Sequence, residues 1–188
     1  MKLKNVFITA IVFVTAISFA QKDELKTLKK IYAKEDVSAS DLENYKATSV
    51  KLQAVAVEES YKVYSNFYKA MVPKMEVSLL GKAATPIQIS NILTADAISN
   101  ISKSVNEVLD FEKKSGKKIY TDELVKKIQE YNPVFTNIAI GLGDAGKYKE
   151  SSEVLYAIYQ LDKKDAEKLY YAANYAVNAK DYDTALKH

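Results

Sequence analysis

The chain of 188 residues contains no cysteine. That absence excludes a disulfide framework, a thiol nucleophile, a thiolate metal site and anchoring through an acylated cysteine, so packing alone must supply stability. Arginine is missing too: all 27 basic residues are lysine. Without the planar guanidinium fork that meets phosphate, carboxylate and guanine edges with two parallel hydrogen bonds, a dedicated nucleic-acid binder is not expected. The one histidine is His188, the last residue of the sequence, and a terminal position is a poor place to preorganise a triad or a metal ligand. No catalytic residue, no metal and no cofactor are therefore expected, and the chain reads as something other than an enzyme. Sustained apolar/polar alternation, which a half-buried strand needs, is also absent.

What is present begins with a leader. Lys2 and Lys4 precede an apolar run over residues 6–19, and Ser18-Phe19-Ala20 offers small residues at a cleavage site. This is the three-part form of a Sec-type secretory signal peptide over residues 1–20, and the run is shorter than a spanning helix of roughly 20 apolar residues. Cleavage would leave Gln21 first, with no stable membrane insertion afterwards and a location in the periplasm, the cell envelope or outside the cell. The leader holds no acid, so losing Lys2 and Lys4 leaves lysines and acids almost balanced. Lysine runs such as Lys113-Lys114, Lys117-Lys118 and Lys126-Lys127 read as solvated helix faces.

Almost every later window carries apolar residues three and four apart, which predicts an all-α protein. A first helix is expected over 22–34 and a second from caps at Ser38-Ala39-Ser40-Asp41, continuing or kinking near Glu58-Glu59-Ser60. Tyr61, Tyr64, Phe67, Tyr68 and Met71 share a face that reads as core, ahead of a stop or bend at Pro73. Gly81 to Pro86 is a linker, Thr85-Pro86 opens a short helix, and Thr94 to Lys114 forms another that Ser115-Gly116 ends. A helix from Thr121 is expected to reach Tyr131, where Asn132-Pro133 breaks and restarts it.

From there the chain repeats. Gly146-Lys147-Tyr148-Lys149-Glu150-Ser151 returns further on as Lys180-Asp181-Tyr182-Asp183-Thr184-Ala185. Phe135, Ile138-Ala139 and Leu142 precede the first copy as Leu169, Ala172-Ala173 and Ala176 precede the second, and Leu161-Asp162 closes the first unit. The offset of about 34 residues is the length of one helix–turn–helix repeat. In period, in the small residues at the crossings and in the turn aromatic, these stretches resemble the tetratricopeptide repeat. The resemblance implies one full unit over 132–165 and a shortened one over 166–188, stacked as an α-solenoid behind a less regular helical region over 21–131. Because a solenoid needs about three units, the natural chain is expected to continue past His188. With the leader, the resemblance implies an exported repeat protein of a Gram-negative bacterium.

Gly141-Leu142-Gly143-Asp144-Ala145-Gly146-Lys147 also satisfies a glycine-rich phosphate-loop pattern. The following residue must give a Ser or Thr hydroxyl to Mg²⁺, and Tyr148 does not; the repeat at 180–185 also lacks the glycines, so a helix–helix turn is the better account. Adjacent acids at Glu58-Glu59 and Asp122-Glu123 point in different directions on a helix and do not form a pair facing across a cleft.

The resemblance places a partner groove on the first helix of each unit: Thr136, Asn137, Ile140 and Asp144, then Tyr170, Asn174 and Asn178. The last three are four apart and form one ladder of hydrogen-bonding groups suited to an extended peptide backbone. A protein–protein interaction scaffold of the cell envelope is thus the expected function. The alternative is glycan or cell-wall polymer binding on the tyrosine-rich face of residues 61–71.

Overall fold

A computed structural model describes residues 20–188, so the leader falls outside the described residues except for Ala20. All regular structure in the described residues is helical. The chain divides into two compact units, one ending at Ala83 and one running from Ala84 to His188. Their seam lies inside the stretch expected as a linker.

The first unit holds α1 (residues 20–32), α2 (Ala39–Val55), α3 (Glu59–Ala70), α4 (Val72–Leu80) and a 3₁₀ turn over Gly81–Ala83. Ser38 starts α2 through a capping box: its hydroxyl accepts from the Asp41 backbone N–H, and the Asp41 carboxylate accepts from the Ser38 N–H. The Lys34 ammonium, 2.6 Å away, and Ser38 together hold the Asp41 carboxyl down to about 2. The second helix stops at Val55 and α3 begins at Glu59, while Pro73 sits in the first turn of α4, where its missing N–H costs nothing.

Aromatic rings fill this unit. Tyr32 packs edge-on to Phe67 and Tyr68 at 5.6 and 5.9 Å, and Tyr45 packs edge-on to Tyr68 at 6.2 Å. Edge-to-face pairs each add about 0.5–1.5 kcal/mol beyond their buried area. The Tyr45 hydroxyl donates to the Tyr68 carbonyl at 2.8 Å, which satisfies a polar atom that burial would otherwise leave without a partner.

The second unit holds α5 (Pro86–Ile92), α6 (Ala95–Ser115), α7 (Thr121–Asp144), α8 (Tyr148–Leu161), α9 (Ala166–Asn178) and α10 (Tyr182–Lys187). Helix α8 packs against α6, α7 and α9, and α10 packs against α9. The crossings are made by serine. Ser102 on α6 donates to the Ala157 carbonyl of α8, Ser151 on α8 to Ala139 of α7, and Ser152 on α8 to Ala172 of α9, at 2.8, 2.8 and 2.7 Å. All three serines are buried, and the short side chain lets helix backbones approach closely while its hydroxyl finds a carbonyl.

One expectation is corrected: α7 runs without interruption through Asn132-Pro133, so the boundary at 131/132 falls inside a helix. Proline removes the hydrogen bond to the carbonyl four residues back, which here belongs to Gln129. Both Gln129 and Pro133 are exposed, so the proline lies on the solvent side of the helix, where a lost hydrogen bond costs least, while Leu124, Ile128, Phe135 and Ile138 carry burial past it on the opposite side.

The start of α7 is held from a distance. Glu112, 1% exposed on α6, accepts from the backbone N–H groups of Ile119, Tyr120 and Thr121 at 3.0, 2.8 and 2.9 Å and from the Thr121 hydroxyl at 2.6 Å. Burial works to raise its pKa, but the hydrogen bonds from Thr121, Tyr120 and Ile119 outweigh it and leave the carboxyl below its ordinary value.

Candidate functional site

The two turns that carry the sequence repeat have the same hydrogen bonding. After α7, the Lys147 N–H bonds to the Leu142 carbonyl and the Gly146 N–H to Gly143, at 2.9 and 3.0 Å, with Gly146 at φ 75°. After α9, the Asp181 N–H bonds to Ala176 and the Lys180 N–H to Val177, both at 2.9 Å, with Lys180 at φ 60°. These are two Schellman motifs, one repeat period apart. The second places a lysine in the left-handed region, where glycine stands in the first.

On α7, Asn137, Ile140 and Asp144 are exposed and Thr136 is half-buried, its hydroxyl returned to the Asn132 carbonyl at 2.8 Å. Thr136 is therefore already occupied within its own helix. On α9, Tyr170, Asn174 and Asn178 are all exposed, one turn apart. The two helices meet where the ring of Tyr175 covers Gly143, one residue from Asn174 and one from Asp144. The interleaving positions behave as core: Phe135, Ile138 and Ala139 on α7 and Ala172 and Ala176 on α9 are buried.

Sequence reasoning missed a polar recess on the other side of α8. One cavity of about 320 Å³ is lined by Lys149, Glu153 and Tyr156 of α8 with Asp181, Thr184 and His188. A neighbouring one of about 430 Å³ is lined by Lys103, Asn106 and Glu107 of α6 with Gln160, and the two share Ser99 and Tyr156. The His188 ring stacks on Tyr156 at 4.1 Å, and burial lowers its pKa while Asp181 partly opposes the shift. Burial raises the Glu153 pKa; Lys149 opposes this, and Asp96, Glu150 and Asp181 add to it. Asp181 is held low by the backbone and hydroxyl of Thr184. The signal lay in the repeat register, because His188 stands one period after Val154, a fully buried position. Among the described residues no group of three or more His, Asp or Glu side chains is placed to hold a metal ion.

The tyrosine-rich face of residues 61–71 does not form a platform. Tyr64, Phe67, Tyr68 and Met71 are 3, 0, 0 and 0% exposed, so the rings a sugar would stack on are inside the first unit. The glycine-rich stretch is likewise no phosphate loop: Gly141 and Gly143 lie in the last turns of α7, and no strand precedes them among the described residues. Among the described residues no helix is long and apolar enough to cross a membrane. Comparison with protein-family models, with curated proteins and with solved structures gave no match.

Proposed function

We propose that the second unit is an interaction module whose α7–α8 and α9–α10 pairs are stacked in the manner of tetratricopeptide repeats, and that it holds a protein or peptide partner along α7 and α9. The observation that carries this reading is the pair of Schellman turns, identical in bonding and one period apart, each followed by a tyrosine that opens the next helix. Buried Ser151 and Ser152 at the crossings support it, as close packing through small residues is what a stacked pair needs. The exposed Asn137, Ile140, Asp144, Tyr170, Asn174 and Asn178 then form the contact surface, with amides and a phenol to meet a peptide backbone. The role is binding, without catalysis, nucleic acid or cofactor. The leader adds export to the cell envelope, so the partner is an envelope or secreted protein.

A photo-crosslinking residue placed at Asn174, and as a control at exposed Lys117 between α6 and α7, tests this in the full chain expressed in a Gram-negative host. A defined protein adduct from position 174, absent from position 117 and lost on Tyr170→Ala with Asn178→Ala, is the expected result. Adducts of equal yield from both positions, or none from position 174, would overturn the proposal.

A further inference from the structure

The glycines of α7 differ in what surrounds them. A Cβ on Gly143 would meet the Tyr175 ring, whereas a Cβ on Gly141 would meet nothing within 4 Å. Glycine inside a helix costs about 1 kcal/mol relative to alanine, and no neighbour among the described residues accounts for Gly141. Its bare backbone faces a trough of about 500 Å³ between α5 and α7, walled by Ile87, Ile89, Val134, Ile138 and Leu142. Ligand pockets of about 300–1,000 Å³ that are mostly apolar, with a few polar groups to fix orientation, have this character.

Three polar side chains border the trough: Asn137, Lys147 and Ser90, whose hydroxyl is already given to the Ile87 carbonyl at 3.0 Å. Lys147 makes no ion pair among the described residues, and the Asn137 amide has no hydrogen-bond partner among them. Among the described residues no acidic side chain lines the trough. Ile87 is 73% exposed on its rim, so apolar surface remains in water beside a free cation. The wall calls for an alkyl chain and the rim for an anion.

We propose that this trough binds a small anionic amphiphile, an alkyl chain ending in a carboxylate. The chain lies against Ile89, Val134, Ile138 and the open backbone of Gly141, and the carboxylate pairs with the Lys147 ammonium while Asn137 donates to it. The site shares Asn137 with the α7 part of the proposed partner surface but no residue with the α9 ladder, so the crosslinking test at position 174 and the test below can fail independently.

The test uses the full chain and dodecanoate below its micelle concentration, followed by calorimetric titration. Saturable one-to-one binding is expected. Dodecyltrimethylammonium, with the same chain and the opposite charge, should bind at least about tenfold more weakly, and Lys147→Gln should weaken dodecanoate about three- to fivefold, the range of an exposed ion pair. Gly141→Leu, which projects a side chain into open space, should abolish binding while leaving the melting temperature no lower than wild type. Val134→Phe fills the trough from its rim and serves as the second blocking variant. Absence of saturable binding, equal affinity for both head groups, or full affinity in folded Gly141→Leu and Val134→Phe would each overturn the proposal.

Discussion

The Tyr175 ring of α9 lies over Gly143 of α7 so closely that a β-carbon there would sit 2.6 Å from Cε1 and Oη of the tyrosine. The same ring stacks on Tyr148 at 6.1 Å, so one side chain joins the end of α7, the start of α8 and the last turn of α9. Gly143→Ala should therefore destabilise the protein by about 1–2 kcal/mol through overpacking. In a Tyr175→Ala background the same change should become stabilising by up to about 1 kcal/mol, because only the helix propensity of alanine remains. Gly141→Ala, with nothing to strike, should stabilise in either background. Urea unfolding of the four-member cycle checks the reversal of sign; the same sign for Gly143→Ala in both backgrounds would remove the ring as its cause.

Lys180 occupies the left-handed conformation that Gly146 occupies one repeat earlier. A side chain there costs roughly 1–2 kcal/mol, and glycine returns part of that gain as extra freedom in the unfolded chain. Lys180→Gly should stabilise by about 0.5–1 kcal/mol, seen as a higher urea midpoint with unchanged slope. A lower midpoint would mean that the lysine side chain makes a contribution larger than the strain.

Ser151 is completely buried, with its hydroxyl on the Ala139 carbonyl of α7. Ser151→Ala removes one buried hydrogen bond and should cost about 1 kcal/mol. Ser151→Val forces extra volume between α7 and α8 and should cost about 1–3 kcal/mol. Thermal unfolding orders the three proteins, and a valine variant as stable as the alanine one would show that the crossing has slack.

Glu112 gives the second unit a pH dependence of predictable sign. Its folded pKa lies below its ordinary value, so its stabilisation is complete at neutral pH and is lost as pH falls through the folded pKa. Glu112→Gln should lower stability at pH 7 by on the order of 2–3 kcal/mol, as a charged acceptor of four hydrogen bonds becomes neutral. The gap between the two proteins should narrow below the usual glutamate pKa of about 4.3. Melting curves from pH 7 to pH 3 test this, and a constant gap would exclude the ionised carboxylate as the source.

Features decided by a few neighbouring residues were legible in the sequence. The cap at Ser38, the Thr85-Pro86 start, the end at Gly116 and the turn at Gly146-Lys147-Tyr148 stand where expected, because each depends on a local hydrogen bond or a permitted φ. Tyr64, Phe67 and Tyr68 of α3 went to the core as their helical spacing implied, while Tyr61 on the same expected face is half-buried. Features decided by distant partners were not legible. Pro133 carries a breaking signal, and only the exposure of Gln129 and Pro133 explains why α7 continues. Gly141 and Gly143 look alike in sequence, and only Tyr175, two helices further along the chain, separates them. Nothing in the sequence marks Glu112, because its partners at Ile119, Tyr120 and Thr121 are set only when the chain after Gly116 folds back onto it. Among the expected groove positions, Thr136 is half-buried with its hydroxyl on the Asn132 carbonyl of its own helix, a local contact that residue spacing does not reveal.

Helix α8 is clasped on three sides, by α6, α7 and α9, with a serine hydroxyl tying it to each. Whichever neighbour peels away first leaves two others in place, so the central amides of α8, around Leu155 to Ile158, should be the last of this unit to trade their protons for deuterium. A short helix with no special composition thereby becomes the slow clock of the fold, and losses at its edges are felt early while its centre keeps time.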